Sequence, residues 1–226
     1  MVTGKSFYSF LISLKLDIPL PKGFSVINPY GDYDVKKVLR TFCDKYYGNN
    51  NQRVLVLGIN PGRFGAGITG IPFTDPFVLQ SICGIDNPFD KRKELSSVFV
   101  YRAINGFGGP SAFYDKFLLS SVCPLGFLMD SKNSNYYDSQ ALFKKVSGLI
   151  SHSLNKHLTM NISQGHLIIL GKKNADFFNQ IDGFHDLFGQ IHVLEHPRFI
   201  MQYKKGQEED YVESYVNTFL KTVSQP

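Results

Sequence analysis

Four short apolar segments, separated by longer stretches with a helical pattern, constrain the fold of this chain more than any other feature of its sequence. They span residues 53–60, 117–125, 166–172 and 191–197. The first and third are continuous apolar runs bounded by glycine, which is typical of parallel strands covered on both faces. Strands that alternate with helices predict one α/β domain over residues 1–226, with a mainly parallel four-stranded sheet and helices on both faces.

Helical patterns lie before, between and after these segments. Asp32 is suited to cap a helix that ends near Gly48 and buries Val35, Val38, Leu39, Phe42 and Tyr46. Residues 94–106 are predicted to be helical, and residues 138–158 place one apolar stripe on Leu142, Val146, Leu149, Ile150, Leu154 and Leu158. Glu208, Glu209 and Asp210 suit the positive end of a last helix, which would bury Tyr211, Val212, Tyr215, Val216, Phe219 and Leu220. Residues 1–50 are expected to be a helical part that packs on the sheet.

Composition and charge exclude several classes of protein. Hydrophobic residues make up 43% of the 226 residues, which is enough to fill a core and excludes wholesale disorder. No apolar run reaches the roughly 18 residues of a membrane span, and no signal peptide is evident. Cys43, Cys83 and Cys123 are odd in number and far apart, so we expect no disulfide framework, no iron–sulfur cluster and an intracellular, cytoplasmic location. The histidine spacing predicts no metal site, and the net charge of +5 permits a polyanionic partner.

The loop after the first predicted strand, residues 58–76, is unusually rich in glycine and proline. It contains Gly58, Pro61, Gly62, Gly65, Gly67, Gly70, Pro72 and Pro76. Glycine lets a ligand approach the backbone and proline stiffens its path, although a plain surface connection has the same composition. The loop matches neither a P-loop nor a dinucleotide fingerprint. Ligands bind beyond the carboxyl ends of parallel strands, so this loop is a candidate site.

Several motifs at these strand ends resemble one known family. Gly58-Ile59-Asn60-Pro61-Gly62 is similar to the first catalytic motif of the uracil-DNA glycosylase superfamily, in its asparagine-bearing form. The single-strand-selective monofunctional branch is resembled further by Phe64-Gly65, by residues 69–73 and by Cys123-Pro124-Leu125 with Phe127. His196-Pro197 stands at the place of the second motif. The resemblance covers residues 53–205 in the expected order.

The resemblance implies a monofunctional DNA glycosylase that hydrolyses the N-glycosidic bond of uracil or a related damaged base and leaves an abasic site. Asn60 would hold the attacking water, and neutral His196 would donate a hydrogen bond to the leaving base. Phe73 would stack on that base, and the remaining base-binding residues would be Gly58, Ile59, Gly62, Phe64 and Ser121. The residues expected to contact DNA are Arg198, Phe199, Lys204 and Lys205, on a loop after the second motif. No cofactor is expected, and the partner would be single- or double-stranded DNA bound by a monomer.

Gly62, Ser121 and the second motif bear on which bases the site would accept and on which residue would act as the wedge. Gly62 stands where a thymine-excluding branch has a bulky ring, so we expect room beside the C5 edge of a pyrimidine. The family's second motif usually reads His-Pro-Ser-Pro, whereas Arg198 and Phe199 stand here in place of the serine and second proline, which leaves the role of Arg198 as a wedge open. Ser121 stands where the branch has a uracil-reading asparagine, so other damaged bases, including deaminated purines, would also fit.

Some alternatives remain open at the level of sequence. The chain could bind damaged DNA with little catalysis, or it could be an α/β enzyme that acts on small nucleotides. His192 should point to the same face as His196 and is expected to be structural. Lys172 and Lys173 are candidates for phosphate contacts, although a solvated turn fits them better.

Overall fold

The computed structural model describes residues 3–181 and 183–224, which form helices and strands in alternation. The strands are β1 (Phe24–Ile27), β2 (Arg53–Gly58), β3 (Phe117–Ser121), β4 (Gly126–Met129), β5 (Lys132–Ser134), β6 (Ile162–Leu170) and β7 (Gln190–Leu194). The α-helices are α1 (Thr3–Ile12), α2 (Tyr33–Tyr46), α3 (Ala66–Thr69), α4 (Pro76–Ser81), α5 (Leu95–Phe107), α6 (Gly109–Lys116), α7 (Gln140–Leu158), α8 (Lys172–Phe178), α9 (Pro197–Tyr203) and α10 (Glu208–Ser224).

The central sheet contains the four strands that the sequence predicts. Their order is β3-β2-β6-β7, and every neighbouring pair is parallel. All residues of β2 and β3 are buried, which explains why both sequences are mostly apolar. The α/β class and the four-stranded parallel sheet are therefore confirmed, although the strands stop two to four residues before the predicted ends.

The predicted helices are present, although some side chains of α7 and α10 that were expected to be buried are only half-buried or are exposed. The Asp32 carboxylate accepts the backbone N–H of Val35 at 3.0 Å and caps α2, whose predicted apolar face is buried. Helices α5 and α7 also match their predicted segments. In α10, however, Leu220 is 50% exposed, and Thr222 takes the buried position because the buried face continues from Tyr215 and Phe219 by steps of four and three residues.

A second, antiparallel sheet was not predicted from the sequence. It has the order β1-β4-β5, and β4 and β5 form a hairpin whose turn residues, Asp130 and Ser131, both have positive φ. Two such residues form the tight turn that suits the twist of a hairpin. The hairpin matters for function because it carries residues 133–135 to the loop that follows β2.

All three cysteines of the chain, Cys43, Cys83 and Cys123, are buried and have free thiols. Within residues 3–181 and 183–224, no helix is both long and apolar enough to cross a membrane.

Candidate active site

A cleft opens at the carboxyl ends of the central strands. β3 follows β2 along the polypeptide and pairs with one edge of β2. β6 pairs with the other edge of β2, so the strand order reverses next to β2. Such a reversal is where open α/β sheets bind ligands. We call this opening the inner cleft; it is lined by Ile59, Asn60, Pro61, Gly62, Ala66, Pro72, Phe73, Glu94, Ser96, Ser121, Asn133, Ser134, Asn135, His196 and Arg198.

Asn60 lies in the inner cleft with its carboxamide held on both sides. Its Oδ1 accepts the backbone N–H of Tyr136 at 2.9 Å. Its Nδ2 lies 3.3 Å from the carbonyl oxygens of Pro61 and Ser134 and donates to both. These bonds fix which end of the amide is the acceptor, and Oδ1 keeps a second lone pair for another donor.

A buried hydrogen-bond chain connects this carboxamide to the end of β2. The hydroxyl of Tyr136 donates to Asn174 Oδ1 at 3.0 Å, and Asn174 Nδ2 donates to the carbonyl of Gly58 at 3.1 Å. Tyr136 and Asn174 are both fully buried. These hydrogen bonds therefore join the end of β2 and the loop after it to α8 and to the segment after β5, and they hold Asn60 from two directions.

His196 follows β7 and caps the N-terminus of α9. Its Nδ1 accepts the backbone N–H of Arg198 at 3.2 Å, so the proton of the neutral ring is on Nε2. Burial and, secondarily, the charge of Arg198 lower the pKa of His196 to about 4. At neutral pH the imidazole is thus an uncharged hydrogen-bond donor, in the same cleft as Asn60.

Phe73 packs beside this imidazole in an uncommon backbone conformation. Its φ is +53°, and the centroids of its ring and the His196 ring are 6.1 Å apart. A Cβ on Gly58 would lie 2.4 Å from the Phe73 ring, so glycine is needed there for the ring to sit over the end of β2. A strained aromatic residue in a cleft indicates that the surrounding structure determines its position.

Ser121, Ile59 and Gly62 also line the inner cleft, and the register places Ser121 directly beside Gly58. Gly62 lies close to two polar side chains. A Cβ on Gly62 would lie 2.9 Å from Glu94 Oε1 and 3.4 Å from Asn133 Nδ2. The backbone of Gly62 therefore lies beside a carboxylate and an amide, and room at the C5 edge of a pyrimidine stays a prediction.

Phe64 and two of the four residues expected to contact DNA, Arg198 and Phe199, line an adjoining outer groove. Its side chains include Arg63, Phe64, Lys132, Asn135, Tyr137, Arg198, Phe199, Gln202 and Tyr203. Phe199 is 39% and Tyr203 71% exposed, although both are aromatic. Exposed aromatic rings interspersed with cationic side chains are typical of single-stranded nucleic-acid binding.

The prediction of a loop after the second motif is wrong, because residues 197–203 form the helix α9. Pro197 suits the first turn of a helix, and no proline or glycine follows it before residue 206. Lys204 and Lys205 follow the end of this helix and line neither the inner cleft nor the outer groove.

The other basic and imidazole candidates also lie outside the inner cleft. Lys172 pairs with Glu195 at 2.5 Å, and Lys173 lies 3.8 Å from Asp138. His192 does not share the cleft with His196, because its Nε2 lies 3.1 Å from Nδ1 of His166 on the neighbouring strand.

Glu94, Ser96, Asn133 and Asn135 line the inner cleft but were missed in the sequence. The two asparagines come from the unpredicted hairpin and the segment after it. Glu94 directly precedes α5, and its backbone N–H donates to Asp75 Oδ2 at 2.8 Å. This long-range contact, which has no signature in the sequence, helps to hold Glu94 beside the glycine-rich loop.

Comparison with known proteins agrees with this geometry. The model of the uracil DNA glycosylase superfamily matches residues 45–220, and the chain belongs to that family. The predicted family is thus confirmed.

Two relatives place the chain more closely within the family. The structure superimposes on the crystal structure of wild-type SMUG2 from Pedobacter heparinus with a TM-score of 0.95, at 40% identity and with both chains fully covered. The chain is also 29% identical to the single-strand selective monofunctional uracil DNA glycosylase of Mus musculus over 134 residues, or 52% of this chain. That match spans 47% of the mouse protein, about half of its length.

Proposed function

We propose that this protein is a monofunctional DNA glycosylase that hydrolyses the N-glycosidic bond of uracil, or of a related damaged base, and leaves an abasic site. The observation that carries the proposal is the presence of Asn60 and the neutral His196 donor in one cleft, beside Phe73. Family membership and the activity in the name of the mouse relative support it.

His196 would act on the leaving base. Cleavage of the bond to the sugar moves an electron pair onto the base, so negative charge grows on its carbonyl oxygens. The Nε2–H group of His196 would donate a hydrogen bond to that oxygen, and one such donor is typically worth about 3–4 kcal/mol in the transition state. A pKa of about 4 suits this role because the ring stays neutral and keeps its tautomer at physiological pH.

Asn60 would hold the water that attacks the anomeric carbon. Its Oδ1 already accepts one hydrogen bond, from Tyr136, and its remaining lone pair can accept one from a water molecule. An amide oxygen cannot take up a proton as a carboxylate does, so Asn60 would orient the water without deprotonating it.

The base would reach these groups by leaving the stack, and Phe73 would stack on it inside the inner cleft. Stacking of this kind is worth about 1–3 kcal/mol per base. The outer groove would hold the flanking strand through Arg63, Lys132 and Arg198, with Phe199 and Tyr203 as aromatic contacts. All of these groups come from one chain, so a monomer suffices.

The monofunctional assignment rests on the residues of the inner cleft. A glycosylase that also cleaves the strand needs an amine nucleophile, and none of the described residues that line the inner cleft is a lysine. We therefore expect hydrolysis only, with an intact abasic strand as the product.

The test uses end-labelled single-stranded and duplex oligonucleotides that contain uracil, 5-hydroxymethyluracil, hypoxanthine or xanthine at one position. We expect strand breaks after alkali and none without it, with uracil among the substrates. Tight binding without any base release would support the damaged-DNA-binding alternative instead. Inactivity on all DNA, with activity on free nucleosides, would support the small-nucleotide enzyme.

A further inference from the structure

We propose that Glu94 is the general base that takes the proton of the attacking water. This inference deepens the proposed function and rests on it. It assigns a role to a carboxylate that no motif of the family resemblance includes.

The glycines of the loop after β2 make room for this carboxylate. A Cβ on Gly65 would lie 1.8 Å from Glu94 Oε2, and a Cβ on Gly62 would lie 2.9 Å from Oε1. Any side chain at residue 65 would therefore expel the carboxylate from its position. Its two oxygens lie against the backbone of the same loop that carries Asn60.

Glu94 is held in place through its backbone N–H group, and its carboxylate takes no part in this contact. Asp75 is fully buried and accepts the backbone N–H groups of both Val78 and Glu94 at 2.8 Å, so it ties the starts of α4 and α5 together. Within the described part of the chain, no residue donates a hydrogen bond to the Glu94 carboxylate. Its oxygens are thus free to accept from a water molecule in the inner cleft.

The other titratable groups of the inner cleft cannot take up this proton. Among the described residues that line it, they are His196 and Arg198. Arg198 has no acceptor atom, and His196 already carries a hydrogen on Nε2 and accepts the Arg198 N–H at Nδ1. Asn60 can orient a water molecule only. Glu94 is the remaining group that can be a base.

The electrostatics of the site suit that role. Burial raises the pKa of Glu94, the Arg198 charge opposes this rise, and Asp75 adds to it. A carboxylate with a raised pKa is a stronger base than an exposed one, and the nearby charge of Arg198 favours its ionised form.

The step balances without any further reactant. The water oxygen forms a bond to the anomeric carbon as the bond from that carbon to the base nitrogen breaks. The electron pair of the broken bond stays on the base, where the His196 Nε2–H stabilises it. The water proton moves to the Glu94 carboxylate, and the released base later takes a proton from Glu94 or from solvent.

The test measures single-turnover excision of uracil from a single-stranded oligonucleotide as a function of pH. For the wild type we expect a rate that rises with pH through the raised Glu94 pKa and then levels off. Glu94→Gln keeps the shape of the side chain, and we expect a rate at least about 100-fold lower that no longer depends on this group. Glu94→Ala should regain part of the rate when formate is added, because formate fits the vacated space, whereas Glu94→Gln should not respond.

Glu213→Gln is the matched control, since Glu213 is an exposed carboxylate on α10 that lines neither the inner cleft nor the outer groove, and it should keep the wild-type rate and pH profile. Thermal melting checks that each variant is folded. The proposal is overturned if Glu94→Gln keeps the wild-type rate and pH profile, or if it only weakens oligonucleotide binding. A wild type that releases no base at all would overturn the proposed function itself, which distinguishes the two failures.

Discussion

The carboxamide Oδ1 of Asn60 accepts a 2.9 Å hydrogen bond from the backbone N–H of Tyr136, which lies 76 residues further along the chain. The side chain of Tyr136 continues this connection through Asn174 to the carbonyl of Gly58. The candidate catalytic amide is thus oriented by backbone and side-chain groups from three separate parts of the chain.

Removing the Tyr136 hydroxyl should lower both stability and rate. Tyr136→Phe leaves Asn174 Oδ1 without its 3.0 Å donor inside the protein, which should cost about 1–3 kcal/mol of unfolding free energy. We also expect about a 10-fold lower single-turnover rate on uracil, because reacting groups tolerate little displacement. Denaturant unfolding and a rapid-quench assay measure the two effects. Tyr33→Phe, which removes an exposed hydroxyl at the start of α2, is the control, and an equal loss of rate in it would contradict the specific role of Tyr136.

Adding a methyl group at residue 58 should displace Phe73. In Gly58→Ala the new Cβ would lie 2.4 Å from the Phe73 ring, and this crowding should cost about 1–3 kcal/mol of stability. Loss of the stacking platform should lower the excision rate by about 10-fold or more. Gly148→Ala has no heavy atom within 4 Å of the added Cβ and lies inside α7, so it should be neutral or stabilising by about 0.5–1 kcal/mol. A fully active Gly58→Ala would show that Phe73 is not needed where it lies.

The cations that hold DNA should be those of the outer groove. Lys132 lines this groove, whereas Lys205 does not. If Lys132 contacts a phosphate, Lys132→Ala should lower the slope of log K against log salt by about 0.7–0.9. Lys205→Ala should leave the slope unchanged. Fluorescence anisotropy with a labelled oligonucleotide over a salt series measures both, and a larger effect of Lys205 would reverse this assignment.

Stability should fall in acid because of a buried histidine that does not line the inner cleft. His157 is fully buried, and its Nε2 lies 2.7 Å from Ser120 Oγ. Burial lowers its pKa from 6.5 to about 4. The unfolded chain therefore binds a proton between pH 6.5 and 4 that the folded chain does not, so the free energy of unfolding should fall across this window, by up to about 3 kcal/mol.

Urea unfolding at several pH values tests this dependence. His157→Gln should reduce the slope between pH 6.5 and 4, although it will lower stability near neutral pH. Part of the slope should remain, because the pKa of His196 is also lowered to about 4. His152→Gln, an exposed histidine on the same helix, is the control and should leave the slope intact. A wild-type stability that does not change across the window would contradict a neutral His157.

The sequence was sufficient for the strands and helices that bury a continuous apolar stripe. It predicted β2, β3, β6, β7 and the helices α2, α5 and α7, because local pattern and tertiary burial agree there. The hairpin of β4 and β5 was missed because β5 reads Lys-Asn-Ser, and its turn uses Asp-Ser where Asn-Gly would have been recognisable.

The residues of the candidate site also fall into those that the sequence predicted and those that it did not. The place of Asn60 and His196 in the inner cleft was predictable, because each lies two residues beyond the end of a strand in a recognisable motif, and parallel strands bring their carboxyl ends together. Glu94 and Asn133 could not be found, because their position depends on contacts with Asp75 and with the backbone of Arg63, which are distant in sequence. The loop expected after His196 is a helix, since the family's usual second proline is absent.

The most direct test of the proposed function compares single-turnover uracil release by the wild type, Asn60→Ala and His196→Ala, on one oligonucleotide and with binding measured in parallel. We predict that both variants bind the oligonucleotide with affinity within about threefold of the wild type but release uracil about 100-fold or more slowly, as expected for lost positioning of the water and lost stabilisation of the leaving base. Uracil release at the wild-type rate by both variants would contradict the roles of these two residues.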